Sequence, residues 1–582
     1  MVAIRERPAG ARRKPWAPER TDGYAPIGDY ALIGDGRTVA LVAADGAIDW
    51  LALPTIASPP TLGALLDAED GGSFRVAPAG EFTVERRYLP ETNVLETTFH
   101  TSTGTLRLTD AFTNDDGELL PWIELVRSAE CVSGEIELEW KLTHQDPPEG
   151  GRLELRTWGE RRLRKGDTAL FALLFVDSGS MPAPKREDVE RRLQATCEWW
   201  HRWVARHDYE GPWHDEVVRS AFTLRLLTHT PTGAVLAAPT TSLPEKIGGD
   251  RNWDYRFSWV RDSAFALDAL LRIGRLELVQ SALHWLLAAA ARTHPRLNVL
   301  YELDGEMPRE CTDVDLPGYR GSRPVRAGNS AASQIQLGCY GDLLETVWLY
   351  VQEGHSLGPE VGRRMAEVAS YVCRIWENED SGIWELDDLR QYTISKMGCW
   401  TALDRAVRMA ERNAIPGEDA PVWKRERERI RAFVETRCWS ERRGSYTFYA
   451  GTDDFDASVL LAARSGFADP KGERMAGTIE AIRGELAAGG PLLYRYSGAQ
   501  RLEGAFLACS FWLVQALARA ERLDEATELM DELVARANDL GLFAEELDPE
   551  TGEQLGNFPQ ALTHLALIDA AGAIEDMGKE AE

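Results

Sequence analysis

The sequence has no long hydrophobic run and no excess of basic residues. Its apolar stretches, such as residues 285–291, are far shorter than the roughly 20 residues of a membrane-spanning helix. Lysine and arginine total 65 against 93 aspartate and glutamate residues, so the formal net charge is −28 at pH 7. Proteins that bind nucleic acid or anionic membranes present the opposite charge balance. We therefore expect neither nucleic acid nor a membrane as a partner.

Clustered metal ligands and an export signal are also missing. The eight cysteines form no Cys-x-x-Cys pair, and the ten histidines show no His-x-x-x-His spacing. We therefore predict no metal site and no cofactor. Near the N-terminus, basic residues are followed by Pro15, Trp16 and Pro18, where an export signal needs an apolar segment. This pattern predicts a cytoplasmic protein.

The first part of the chain has the alternation of β-strands. From Tyr24 to Val176 apolar residues recur with period two, as at Ile136, Leu138 and Trp140, between turn residues. The pattern predicts an antiparallel β-sandwich domain at residues 23–182, preceded by a flexible arm at 1–22. A charged, tryptophan-bearing helix follows, and we assign residues 183–212 to this linker.

Beyond residue 213 the apolar period changes to 3.6, which is typical of helices. No repeat of fixed length accompanies these helices, so a solenoid is disfavoured. Paired helices closed into a ring fit better, and we predict an all-α catalytic domain with an (α/α)6 barrel at 213–574, followed by a tail at 575–582. The twelve predicted helical segments are 215–229, 262–273, 276–292, 331–352, 360–377, 397–412, 421–437, 455–464, 472–486, 504–520, 523–538 and 559–571.

The long loops between these helices carry the residues suited to chemistry. The loop at residues 239–262 interleaves aromatic residues with arginine and aspartate. A sugar offers apolar ring faces and a rim of hydroxyl groups, so this mixture favours carbohydrate binding. A salt-bridged loop beneath an aromatic cluster is an equal alternative from the pattern alone. Among 19 tryptophans, Trp253, Trp259 and Trp400 are the candidates for a site.

Two loops present carboxyl groups in unlike settings. Glu385 follows the apolar Ile383 and Trp384, and such surroundings favour the neutral form of a general acid. Glu545 and Glu546 form an adjacent pair near the C-terminus, a pattern that is usually a solvated surface. Two carboxyl groups of different character facing one pocket are what glycoside hydrolysis requires.

Taken together, the loop motifs resemble those of glycoside hydrolase family 15, the inverting family of glucoamylases, glucodextranases, isomaltose glucohydrolases and bacterial trehalases. The resemblance extends over nearly the whole chain and rests on many ordered motifs. These motifs lie at residues 27–35, 45–50, 238–245, 251–262, 321–326, 328–329, 384–385, 395–400, 494–496, 509–512, 541–546 and 556–560.

The resemblance implies a role for each matching residue. Glu385 resembles the general acid and Glu545 the general base, while Glu546 is the less favoured base. The resemblance further implies that Arg261, Asp262 and Arg495 bind hydroxyl groups of the non-reducing glucose. The remaining substrate-binding residues that it implies are Tyr255, which is also a candidate to polarise the water, Trp259, Arg323, Trp384, Lys396 and Trp400.

The implied activity is inverting, exo-acting hydrolysis of α-glucosides, with β-glucose released from the non-reducing end of short isomalto- or maltooligosaccharides. The acid and base of such enzymes lie about 6.5–9.5 Å apart. Trehalose hydrolysis is the alternative. The loop at 386–394, next to the acid, is shorter than in many relatives and leaves the leaving group open among maltooligosaccharide, isomaltose and trehalose. An inactive oligosaccharide-binding protein and a structural helical scaffold are the other interpretations. We expect a small oligosaccharide or disaccharide partner and leave the oligomeric state open.

Overall fold

The computed structural model describes residues 14–207 and 209–581. These residues form two compact units, the first ending at Val204 and the second beginning at Ala205, with Asn538–Leu540 belonging to the first. Among the described residues, no helix has the length and apolar character needed to cross a membrane. Most of the predicted arm, residues 1–13, lies outside the described part of the chain.

The first unit is built on antiparallel strands. Their alternating apolar residues are buried, as in β2 and β3, whose residues all lie in the interior. The strands β1–β12 are Tyr30–Gly34, Val39–Ala43, Ala47–Ala52, Pro60–Leu62, Ser73–Pro78, Thr83–Tyr88, Leu95–His100, Gly104–Phe112, Ile123–Thr143, Arg152–Trp158, Arg162–Arg164 and Thr168–Val176. The main path of pairing runs β1-β2-β3-β5-β9-β8-β7-β6.

Strand β9 connects the two parts of this sheet because it is 21 residues long. Its first residues, from Ile123 to Glu130, pair with β12 on one side and β8 on the other. Its last residues, from Leu138 to Thr143, pair instead with β5. One strand therefore contributes to both parts, and the antiparallel character predicted from the sequence is confirmed.

Two details of the first unit differ from the predicted limits. Trp16 lies within the predicted flexible arm, yet its backbone pairs with Val84. Arg20 forms ion pairs with Asp45 and Asp49, which hold the same segment against the sheet. Helix α1 (Arg186–Val204), the predicted linker helix, groups with the strands rather than standing apart from them.

The second unit contains a closed ring of helices. Helices α3, α5, α7, α9, α11 and α13 contact one another in that order, and α13 contacts α3 again. The alternating helices α2, α4, α6, α8, α10 and α12 pack outside them, which is the arrangement of an (α/α)6 barrel. The bounds of α2–α13 are His214–Leu227, Val260–Arg272, Leu276–Ala291, Cys339–Gln352, Pro359–Ile375, Thr393–Glu411, Ala420–Arg437, Ala462–Ser465, Glu473–Glu485, Leu507–Arg519, Leu523–Val534 and Ala561–Ala581.

Burial explains which helices line the ring. Helix α11 is buried along almost its whole length, whereas α8 buries few of its residues and exposes a highly charged face. The predicted segment 455–464 begins as a 3-10 turn, Ala457–Leu461, before the short α9, and the segment 331–352 becomes an α-helix only at Cys339. Helix α13 continues through the predicted tail to Ala581.

Short strands join the loops at the ends of the helices. They shape the segments that carry the candidate site, notably β14, β15 and β24. The strands β13–β25 are Thr241–Pro244, Asn252–Asp254, Ser258–Trp259, Leu300–Tyr301, Thr312–Val314, Val325–Ala327, Trp439–Ser440, Ser445–Tyr446, Ala487–Gly489, Leu492–Leu493, Ala505–Phe506, Glu546–Leu547 and Gln554–Leu555.

Candidate active site

Glu385 lies in the loop between α6 and α7, with its side chain partly enclosed. The indole Nε1 of Trp259 donates a hydrogen bond of 2.7 Å to Oε1 of Glu385. Burial raises the pKa of Glu385, while the Arg261 guanidinium and the Trp259 donor oppose that rise. A raised pKa favours the protonated form of the carboxyl group, which is the form that a general acid needs.

The main chain around Glu385 is held in a strained conformation. Its φ of 62° lies in the left-handed region that non-glycine residues rarely adopt. Gln334 donates to the carbonyl oxygen of Glu385 at 2.9 Å, and Arg261 donates to that of Ile383 at 2.9 Å. The Trp384 indole donates to Asp456 at 2.8 Å. Three consecutive residues are therefore anchored, which fixes the direction of the Glu385 side chain.

Glu545 is almost fully buried, with 1% of its surface exposed. Its Oε1 accepts a hydrogen bond from the Tyr255 hydroxyl at 2.7 Å and one from Gln560 at 3.3 Å. Burial and the nearby Glu245 raise the pKa of Glu545. Gly556 lies against the same carboxyl group, since a Cβ added there would lie 2.6 Å from Oε2.

The segment before Glu545 is held by polar side chains. Gln554 accepts a hydrogen bond from the Ala544 amide at 2.8 Å, and His564 accepts one from the Phe543 amide at 3.3 Å. Burial lowers the pKa of His564 to about 3, so this imidazole is neutral and can accept the bond. Thr563 donates to the carbonyl oxygen of Ala544 at 3.1 Å. These bonds position the backbone that carries Glu545.

Tyr255 and Trp259 bring the two carboxyl groups to one place. Their rings meet edge to face with centroids 5.4 Å apart. One ring donates to Glu545 and the other to Glu385. The short segment from Tyr255 to Trp259 therefore supports both candidate catalytic residues, which lie 160 positions apart in the sequence.

Arg261 and Asp262 begin helix α3 beside this pair. Arg261 donates to Oδ1 of Asp262 at 2.8 Å, and Asp262 is 2% exposed. A carboxylate in the first turn of a helix is favoured by the helix dipole. Both residues lie close enough to Glu385 to affect its pKa, which the Arg261 charge lowers and the Asp262 charge raises.

Arg495 and Arg251 share a buried group of acids that we call the carboxylate cluster: Glu245, Glu503 and Glu546. One carboxylate oxygen from each of the three lies within 4.8 Å of the others, a spacing that could hold a metal ion. Arg495 donates to Glu503 at 2.6 Å, and Arg251 donates to Glu245 at 2.6 Å. Guanidinium groups therefore already occupy oxygens that a metal would need.

Sequence reasoning did not assign Glu245 or Glu503 to the site. Glu245 lies within a motif that the sequence analysis identified, at residues 238–245, but no role attached to it. Glu503 follows a polar loop and has no local signal. Arg495 joins the two across 250 positions of sequence, a contact that no local pattern reveals.

Two of the predicted binding residues, Lys396 and Trp400, lie in the interior of the second unit. Lys396 is fully buried, and its ammonium donates to the backbone oxygens of Trp376 at 2.6 Å and Asn378 at 2.5 Å. It therefore fastens a loop and has no exposed surface, and its predicted contact with sugar stays a prediction. Trp400 packs against Phe467 with ring centroids 5.3 Å apart, so it belongs to the interior rather than to a sugar face. Arg323 is exposed, and its role stays a prediction.

Comparison with known proteins identifies the family. The model of glycosyl hydrolases family 15 matches residues 211–572, and a model described as trehalase-like, N-terminal, matches residues 11–131. The chain belongs to glycosyl hydrolases family 15. It is an O-glycoside hydrolase, as predicted, and its substrate is a sugar.

Several members of family 15 resemble this chain over nearly its full length. A protein named trehalase from Mycolicibacterium smegmatis is 35% identical, covering 97% of this chain and 93% of its own. A trehalase from Thermoplasma volcanium is 33% identical, covering 95% of this chain and 94% of its own. A solved bacterial glucoamylase complexed with acarbose aligns with a TM-score of 0.65 at 12% identity, covering 98% of this chain and 96% of that one. This likeness confirms the predicted fold, an (α/α)6 barrel after an antiparallel β-sandwich domain.

Proposed function

We propose that this family 15 enzyme hydrolyses α,α-trehalose to two glucose molecules with inversion at the attacked carbon. The observation that carries the proposal is the pair of enclosed carboxyl groups, Glu385 and Glu545, joined through Tyr255 and Trp259. The names of the relatives that match over nearly the whole chain support trehalose over α-glucans. The short loop at 386–394, next to the acid, is compatible with a compact second glucose.

In the proposed reaction Glu385 is the general acid and Glu545 the general base. Glu385 gives its proton to the glycosidic oxygen as the bond from that oxygen to the anomeric carbon breaks. Water attacks the same carbon from the opposite face and gives its proton to Glu545. Tyr255 and Gln560 both donate to Oε1 of Glu545, so Oε2 is the oxygen that receives the proton.

Arg261, Asp262, Arg495 and Trp384 are the proposed binding groups for the glucose that is attacked. The Arg261–Asp262 pair is prealigned by its own hydrogen bond, so little side-chain freedom is lost on binding. Trp384 is fixed by Asp456 and packs against Phe506 with centroids 5.4 Å apart. A rigid set of binding groups holds the substrate in the geometry of the reaction and so favours the transition state.

The test is the anomer of glucose released from trehalose, followed by proton NMR faster than mutarotation. Inversion gives one β-glucose from the attacked ring and one α-glucose from the leaving ring, in equal initial amounts. Maltose, isomaltose and panose are compared in parallel, and faster release from any of them than from trehalose would replace trehalose by short α-glucans. Two α-glucose molecules from trehalose would contradict inversion.

Glu385→Gln tests the acid in the same assay. We expect a fall in kcat/KM of at least about 100-fold, because the amide cannot protonate the leaving oxygen. The matched control is Glu426→Gln, since Glu426 is a buried glutamate of α8 that pairs with Arg429. Equal rates of glucose release in wild type and Glu385→Gln would rule out Glu385 as the acid. No glucose from any substrate would favour a binding protein without turnover.

A further inference from the structure

We propose that Glu546 stays protonated in the working enzyme and acts as a positioning residue for Arg495 and Glu545. The inference rests on the proposed function, in which the ionised Glu545 is the base. Glu546 begins strand β24, which pairs with β23 and β25, and its side chain is fully buried. Because it has no exposed surface, it acts through its neighbours.

Charge balance around Glu546 favours a neutral carboxyl group. Arg495 donates to Glu503 at 2.6 Å and to Glu245 at 3.2 Å. Arg251 donates to Glu245 at 2.6 Å and lies 3.3 Å from Glu503. Two guanidinium groups are thus matched by two carboxylates. The guanidinium nearest to Glu546 is 4.0 Å away, so an ionised Glu546 would be a buried charge without its own cation.

The hydrogen bonds of Glu546 also favour a neutral carboxyl group. Its Oε2 accepts from the Gly504 amide at 2.8 Å, but its buried Oε1 has no partner among the described residues. Oε1 of Glu245 is also buried and unpartnered within the described part of the chain. Two acceptors without a donor are costly inside a protein. A proton on Oε1 of Glu546 supplies a donor inside the carboxylate cluster, where Glu245 offers an acceptor.

The titratable groups near the cluster include Tyr255, Tyr496, Cys509 and Glu545, and burial also raises the pKa of the Cys509 thiol. Burial raises the pKa of both tyrosines, so their hydroxyl groups are neutral. Burial, then Glu245 and Glu503, raise the pKa of Glu546 well above its ordinary value, while Arg495 opposes the rise. A neutral Glu546 removes one negative charge beside Glu545. The base can then ionise while Arg495 remains held by its two carboxylates.

Glu546→Gln tests the proposal because the amide keeps a neutral side chain with a donor. We expect kcat/KM for trehalose to stay within about threefold of wild type, with an unchanged pH profile. Glu245→Gln is the matched comparison, since it removes a carboxylate that pairs with two arginines. We expect it to lower kcat/KM about 100-fold and to shift the acidic limb of the profile. A loss in Glu546→Gln equal to that in Glu245→Gln would overturn the proposal.

A second measurement does not depend on which sugar is cleaved. If a glutamate is neutral in the folded protein but ionised in the unfolded chain, the protein loses stability as the pH rises above about 4.3. The ratio of the unfolding constants of wild type and Glu546→Gln should therefore rise about tenfold per pH unit between about pH 5 and pH 7. A ratio that does not change with pH would overturn the proposal even if trehalose is the substrate. A rising ratio would support the proposal even if trehalose is not the substrate.

A cation is the competing occupant of the carboxylate cluster. If a proton fills this role, neither Mg²⁺ nor EDTA should change the unfolding midpoint of the wild-type chain. Stabilisation by Mg²⁺ that disappears in Glu546→Gln would place a cation there and overturn the proposal.

Discussion

The segment that carries Glu385 and the segment that carries Glu545 are held by different means. Around Glu385 the bonds fix the main chain, through Gln334 and Arg261, and the residue itself has a strained φ. Around Glu545 the carboxyl group itself is fixed, by donors from Tyr255 and Gln560. Both carboxyl groups also accept a ring donor, from Trp259 and from Tyr255, so the difference lies in the strained backbone of the proposed acid and in the second donor, Gln560, of the proposed base.

The electrostatic surroundings differ as well. Glu385 has one close charged pair, Arg261 with Asp262, as its neighbour. Glu545 lies beside the carboxylate cluster, where acids outnumber the two guanidinium groups. The raised pKa of the acid therefore follows mainly from burial. That of the base also depends on how neighbouring carboxyl groups share their protons.

Among the three substitutions that follow, the largest expected effect comes from displacing the proposed base, Glu545, with Gly556→Ala. The new methyl group would lie 2.6 Å from Oε2 of Glu545, the oxygen that receives the proton. A shift of about 1 Å in a catalytic group costs about 100-fold in rate, so we expect that loss in kcat for trehalose. Steady-state kinetics of trehalose hydrolysis measure this loss in kcat.

The control for this change is Gly552→Ala in the same loop. Gly552 has a φ of 76°, close to the 74° of Gly556, but nothing lies within 4 Å of its added Cβ. It should lose about 1 kcal/mol of stability through backbone strain and keep its activity. If both variants lost activity equally, strain in the loop rather than contact with Glu545 would be the cause.

Tyr255→Phe should have the next largest effect, because it removes the donor to the base. The Tyr255 hydroxyl lowers the pKa of Glu545, so its loss raises that pKa further. Since the base must be ionised, the acidic limb of the kcat/KM profile should move to higher pH. Because the lost hydrogen bond joins a charged group, we expect kcat/KM at the pH optimum to fall about 30-fold.

Tyr209→Phe is the control for the loss of a tyrosine hydroxyl, since that group donates to the backbone oxygen of Pro212 at 2.6 Å. Its pH profile should match wild type. An acidic limb that stays in place in Tyr255→Phe would argue against Glu545 as the base.

Trp259→Phe should have the smallest effect of the three and should act on the opposite limb. The Trp259 donor lowers the pKa of Glu385, so removing it raises that pKa. Because the acid must be protonated, the basic limb should move to higher pH, with about a tenfold loss of rate. Trp285→Phe is the control, as its indole donates to the backbone oxygen of Leu303 at 2.8 Å. Movement of the acidic limb instead would indicate that Glu385 is the base and Glu545 the acid.

Much of the fold follows from local pattern, because period-3.6 apolar residues mark each helix of the barrel. The errors arise where the chain turns more tightly, as at Ala457–Leu461, since a 3-10 turn and an α-helix share much of their periodicity. In the site, Glu385 and Glu545 lie in recognisable motifs. The burial of the Lys396 ammonium against two carbonyl oxygens is a tertiary property that its motif does not reveal. Glu503 was missed because Arg251 and the other two glutamates of the carboxylate cluster, which it meets in the fold, are distant in sequence.

The hydrogen bonds from Tyr255 and Trp259 mean that the short segment between these residues fixes the distance between Glu385 and Glu545. The distance between proton donor and proton acceptor determines whether one water molecule fits between acid and base, and hence which anomer forms. That distance is set where a few residues of chain hold both groups. Outer helices and distant loops of the barrel can therefore change in length during evolution while the stereochemistry of the product stays the same.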